Sequence, residues 1–177
     1  MSTSRSLLSI LLAATLFVGC GGPRPTPTPA TGSSLHAHPA LEARLPSQVD
    51  GHDMTKVSVA AVEERQEPKT LELLRRLGRA ADDLQVAIAT AADGTDIQVG
   101  AFRVVGADAV QIVVTFQAVE EADPESTATF GASIVAGRRL ITRSHEAQLV
   151  YLYPVEDIMF VISGDTRLVE TALGLLP

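Results

Sequence analysis

The sequence predicts an α+β fold: a mostly antiparallel sheet with about three helices packed on it. Three observations carry this expectation. Strand-like segments follow one another with short turn signals between them, a spacing that antiparallel pairs permit and parallel pairs do not. Segments with helical periodicity are few and set apart, one from Pro68, one from Asp108 and one after Asp165. The resulting order is strand, helix, two strands, helix, four strands, helix, which leaves no run of βαβ crossovers.

The folded part is expected to begin near Leu41-Glu42-Ala43-Arg44-Leu45-Pro46. Residues 55–62 (TKVSVAAV) alternate as a half-buried strand does. Pro68 suits a first helical turn, where its missing N–H costs no bond. Leu71, Leu74 and Leu77 then fall on one stripe, Glu72 and Arg76 form an i,i+4 pair, and Gly78 supplies the stop. Leu84–Ala91 (LQVAIATA) and Ile97–Val104 (IQVGAFRV) are a strand pair across the Asp93-Gly94 turn.

Gly106-Ala107-Asp108 opens a segment to about Glu120 in which Val110, Val113, Val114 and Gln117 share a helical face. Its β-branched residues are weak helix formers, but its length and the Asp123-Pro124 stop favour helix over strand. Residues 127–135 and 139–143 form the next strand pair, turning at Ala136-Gly137-Arg138. Residues 148–153 and 158–163 form the last, turning at Pro154-Val155-Glu156-Asp157. Gly164-Asp165 caps a final helix carrying Leu168, Val169, Ala172, Leu173 and Leu176. No internal repeat is evident.

Ahead of this domain, the chain's single cysteine, Cys20, ends the stretch Leu16-Phe17-Val18-Gly19-Cys20. Arg5 is the only charge before it, and residues 7–18 form an uncharged run of about 12, within the ~7–15 of a secretory apolar core. A spanning helix needs about 20 apolar residues, and Gly21-Gly22-Pro23 breaks any helix that would continue. Val18, Gly19 and Cys20 match the lipobox, and the segment resembles the signal peptide of bacterial lipoproteins. Phe17 departs from the leucine usual in that pattern. A chance cysteine behind an uncleaved or ordinarily cleaved signal is the competing account.

The resemblance implies a diacylglycerol thioether on Cys20, cleavage between Gly19 and Cys20, and acylation of the new amine by a palmitate-like chain. Several buried acyl chains, at ~0.8 kcal/mol per CH₂, anchor a protein stably. The partition is then 1–19 signal peptide, 20–40 anchor and Pro/Thr/Ser-rich linker, and 41–177 one domain. Pro23-Arg24-Pro25-Thr26-Pro27-Thr28-Pro29 should extend at ~3.1 Å per residue, holding that domain off the bilayer. The expected address is the extracytoplasmic face of the cell membrane; in a cell with two membranes the same signal serves either.

Composition closes several routes. The formal charge is −7, and losing Arg5 with the signal makes it −8, which argues against nucleic acid and against anionic headgroups as partners. A lone cysteine rules out disulfides, Cys-based zinc and dithiol redox chemistry. Trp is absent and tyrosine is limited to Tyr151 and Tyr153, little for stacking sugars or bases.

Motifs that could carry chemistry each have a plainer account. His36-Ala37-His38 has the spacing of a metal pair but lies in the expected linker without a carboxylate beside it. Asp50-Gly51-His52-Asp53 gathers two carboxylates and an imidazole but lacks the spacing of a calcium loop, and a turn explains Asp50-Gly51. Ser144-His145-Glu146 has triad residue types, yet sequence neighbours cannot bond as a triad, and a strand turn accounts for them. Gly131-Ala132-Ser133-Ile134-Val135 departs from the nucleophile elbow at its last position. The acidic run Glu120-Glu121-Ala122-Asp123-Pro124-Glu125 ends a helix and is expected to be a solvated loop, or else a contact for a basic partner.

No catalytic residue, metal ligand or cofactor is therefore assigned, and Cys20 is the one site residue. Leu45-Pro46, the strand Ile97-Gln98-Val99-Gly100-Ala101-Phe102-Arg103 followed by Gly-Ala-Asp, and a closing Tyr-Leu-Tyr hairpin and helix resemble domains of secreted bacterial proteins and lipoproteins with no assigned activity. The expectation is a membrane-anchored envelope lipoprotein, held by the lipid on Cys20, whose domain binds a protein or small-molecule partner without catalysis. The alternatives are an envelope hydrolase with dispersed acidic and His residues, and a structural or assembly lipoprotein.

Overall fold

The computed structural model describes residues 35–60, 67–146 and 148–177. The signal segment, Cys20 and the proline-rich tether lie outside the described residues. Eight strands form one antiparallel sheet: β1 (Gln48–Val49), β2 (His52–Ala60), β3 (Leu84–Ala91), β4 (Ile97–Val104), β5 (Thr129–Val135), β6 (Arg138–His145), β7 (Gln148–Val155) and β8 (Ile158–Gly164). Their order across the sheet is β1-β2-β3-β4-β8-β7-β6-β5. The chain thus builds one half outward-in to β4. It then crosses to the far edge and returns strand by strand until β8 closes against β4.

Helices number four among the described residues rather than three: α1 (Pro39–Glu42), α2 (Pro68–Leu77), α3 (Ala109–Ala122) and α4 (Thr166–Leu175). Alternation along β8 explains how they are placed. Ile158, Phe160 and Ile162 point into one core with Leu41 of α1 and Val169, Ala172 and Leu173 of α4. Met159 points into the other, with Leu73 and Leu74 of α2 and Ile112, Val113 and Phe116 of α3. The helices therefore cover both faces of the sheet, which a period-2 strand apolar on both sides requires. Ala87, Ala89 and Ala101 lie fully buried on the α1/α4 side, and these small side chains let that layer sit close to the central strands.

Tight turns set the registers. Asp50 and Gly51, and again Ala136 and Gly137, have positive φ at both loop positions, the conformation whose twist matches a two-residue hairpin. The last hairpin is tighter than its sequence suggests, because Pro154 and Val155 stay in β7 and pair with Met159 and Ile158. Proline is tolerated there because β6 pairs with β7 only as far as Leu152, so no neighbour asks for the missing N–H.

Two helix faces differ from the periodicity reading. In α2 the buried residues are Thr70, Leu73 and Leu74, while Leu71 is exposed. In α3 they are Ala109, Ile112, Val113, Phe116, Val119 and Glu120, which turns Val110 and Val114 outward. A helix apolar around most of its circumference offers several candidate stripes, and contact with α2 and the sheet selects one. Asp108 starts α3 with a capping box, accepting from the Gln111 N–H at 2.8 Å.

Candidate functional site

Two features stand out, a buried charge cluster and an open groove, and both lie in the α2/α3 layer. The first is centred on Glu120, whose side chain has no exposed surface. Its Oε1 accepts from Arg143 of β6 at 2.9 Å, and its Oε2 accepts from Lys69 of α2 at 2.9 Å and from the Ser126 hydroxyl at 2.6 Å. Lys69 also reaches Asp123 at 2.8 Å. Two cations and two carboxylates balance, and Arg143 lies 5.9 Å from the centre of the Phe116 ring.

Burial pushes the Glu120 carboxyl up, but the Ser126 and Lys69 hydrogen bonds and the Arg143 and Lys69 charges pull it further down, to a net value below the ordinary range. A carboxyl held ionised by two cations and a hydroxyl is poorly suited to donating a proton near neutrality. The cluster is a clamp joining α2, α3, β6 and the loop after α3. The sequence reading that made residues 120–125 a solvated loop is corrected for Glu120. The signal was present: Glu120 lies four residues after Phe116 and eight after Ile112, on the buried stripe.

The second feature is a groove of ≈ 510 Å³ where the end of α2 meets the start of α3. Gly78, at φ 66, ends α2 in the left-handed region and swings Arg79 across to the Gly106 carbonyl, to which its guanidinium donates. Arg76, Leu77, Arg79, Ala107, Val110 and Val114 line the groove, and no carboxylate does. Val110 and Val114 are 60% and 58% exposed, well beyond what a packed helix face shows. Glu72 takes hydrogen bonds from both Arg75 and Arg76, which bring its carboxyl down to about 2. Arg79 has no carboxylate within ion-pair reach among the described residues. Asp108, beside the groove in sequence, is turned onto the α3 N-terminus instead.

Compared with models of known protein families, with curated proteins and with solved structures, the chain matches none. Its chemistry stands on its own side chains.

Those singled out in the sequence do not converge. Asp50 meets Arg167 at 2.9 Å, His52 meets Asp93 at 2.7 Å and Asp53 meets Gln48 at 3.2 Å, so the Asp50–Asp53 stretch feeds three separate contacts from a hairpin turn. The His52 hydrogen bond, with those of Thr95, holds the Asp93 carboxyl well below the usual range. His145 contacts the Thr127 hydroxyl at 3.1 Å, while Ser144 pairs with Leu149 in the sheet.

His36 and His38 lie not in a solvated linker but against β2. His36 bridges to Ser58 in the parallel sense, and its Nδ1 is 2.9 Å from Glu42. Ser58, buried, donates to Glu42 at 2.5 Å and accepts from the His38 N–H at 2.7 Å. Burial raises the Glu42 carboxyl, but the Ser58 and His36 hydrogen bonds bring it below its ordinary value. Serine, glutamate and histidine are thus together with the carboxylate in the middle. No imidazole takes the Ser58 proton, so the set ties the entering chain to β2 and does not activate a nucleophile. No three His, Cys, Asp or Glu side chains converge as a metal site among the described residues.

Proposed function

We propose that this chain is a lipid-anchored protein of the bacterial cell envelope whose domain is a non-enzymatic binding module. The anchoring rests on the Val18-Gly19-Cys20 signal and the proline-rich tether behind it. The binding reading is carried by the groove, where two valines stand exposed one turn apart beside arginines on a helix whose opposite face is core. Exposed apolar surface rimmed by polar groups marks interaction sites.

One experiment in intact cells tests both halves. A photo-activatable amino acid replaces Val114, or Glu170 on the opposite layer, and the cells are fed a labelled fatty acid. The expected outcome is label lost in Cys20→Ala, and a discrete cross-linked adduct from position 114 but none from position 170. Label persisting in Cys20→Ala would remove the anchor, and a position 114 as silent as position 170 would remove the binding role.

A further inference from the structure

Resting on that reading, we propose that the α2–α3 groove receives an acidic amphipathic helix of a partner protein. Its apolar side chains would lie on Val110 and Val114, and one of its carboxylates on Arg79. Charge complementarity selects the occupant. In a chain of net charge −7, the stretch from Glu72 to Arg79 carries Arg75, Arg76 and Arg79 against one carboxylate. The groove is lined by two arginines, apolar side chains and the neutral polar Gln111 and Thr115, with no carboxylate. Arg79 uses its guanidinium on the Gly106 carbonyl and still has donors in the planar fork that matches a carboxylate.

The apolar element has the spacing of a helix docked in a groove. Val110 and Val114 are i,i+4 neighbours, about 5–6 Å apart at Cβ, the interval at which a second helix presents its own i and i+4 anchors. Other occupants fit less well. A membrane surface or nucleic acid would need a broad basic face, and elsewhere the chain is acidic. A small amphiphile would need walls burying most of its surface, about 70–90%, whereas this groove has Val110 and Val114 more than half exposed.

The test titrates the full-length lipidated protein, in detergent, against a fluorescent helical peptide with Leu at i and i+4 and Glu at i+3 and i+7. Companion peptides carry Gln or Lys for Glu. The acidic peptide should bind, the Gln peptide about tenfold more weakly, and the Lys peptide not at all up to ~1 mM. Arg79→Glu and Val114→Glu should each weaken the acidic peptide by about tenfold or more. Val114→Glu should do so without shifting the urea midpoint, because its side chain is exposed, whereas Arg79→Glu also gives up the hydrogen bond to the Gly106 carbonyl.

Equal affinity for the Glu and Lys peptides, or a Glu-peptide affinity unchanged by Arg79→Glu, would overturn the proposal. Preference for the Lys peptide, lost in Val114→Glu, would overturn the acidic partner and leave the docking groove standing. Binding to phosphatidylglycerol vesicles and to no peptide would overturn it in favour of a lipid surface. Failure of every probe overturns it as well and leaves the binding-module reading standing, which falls instead on a silent position 114 in cells.

Discussion

Glu120 is the only carboxylate buried among the described residues, and its three partners come from three elements: Lys69, Ser126 and Arg143. Breaking a buried pair leaves a charge that neither water nor protein compensates, at about 3–5 kcal/mol. Glu120→Gln should therefore lower unfolding stability by about 3 kcal/mol, read from urea curves at neutral pH. The pH dependence has a definite sign. Glu120 and Asp123 both lie below their ordinary values of 4.5 and 3.8 in the folded chain, so on acidification the unfolded chain takes up protons first. Their contribution is complete above those ordinary values and is lost as pH falls through the folded ones. The urea midpoint should drop from pH 5 toward pH 2, and less steeply in Glu120→Gln. A slope unchanged by the substitution would contradict the clamp. The burial of Glu120 could be found from its place on the Ile112–Phe116 stripe. Its partners could not, because Lys69 and Arg143 are 51 and 23 residues away in sequence.

At the scale of the element, local stereochemistry was the most legible feature. Leu84–Ala91, Ile97–Val104 and Pro68–Leu77 form over the residues expected from alternation, the Asp-Gly turn and the Pro and Gly signals. Gly164, where β8 hands over to α4, shows why such positions matter. It has φ 144, and a Cβ there would stand 2.6 Å from the Asp96 carbonyl oxygen. Gly94 also has positive φ but would meet nothing within 4 Å. Alanine at Gly94 should cost the backbone strain alone, about 1–2 kcal/mol. Gly164→Ala should cost about 1–3 kcal/mol more, because backbone rather than a flexible side-chain tip must move. Thermal denaturation of the two variants side by side checks this, and equal losses would refute it. The outward face of α3 was less legible. Valines at 110, 113 and 114 read alike in sequence, and only the positions of α2 and the sheet separate Val113, fully buried, from its exposed neighbours.

Across the whole molecule, the two sheet edges are treated differently. The β2 edge is covered by β1 and by the His36–Ser58 bridge, whereas β5 is the last strand on the other side. Its sequence, TFGASIV, has no charge or proline to guard it, and Ile134 is 76% exposed. Unguarded edges template pairing with other chains. Ile134→Lys should leave the melting temperature unchanged and reduce aggregation on heating, measured by light scattering. Unaltered aggregation would show that this edge is not the route. The order of the longer segments and the pairing of their hairpins were legible in the sequence, because they depend on period-2 and period-3.6 patterns and on glycine and proline stereochemistry within a few residues. The short α1 and β1 and the tight close of the last hairpin were not. The Cys20 signal likewise rests on sequence alone. Tertiary structure decided which face of the sheet each helix covers, that Glu120 goes inside, and that Val110, Val114 and Arg79 share a groove. Alternation marks a strand as two-faced without saying what covers either face. A helix apolar nearly all round has its exposed stripe chosen by its neighbours.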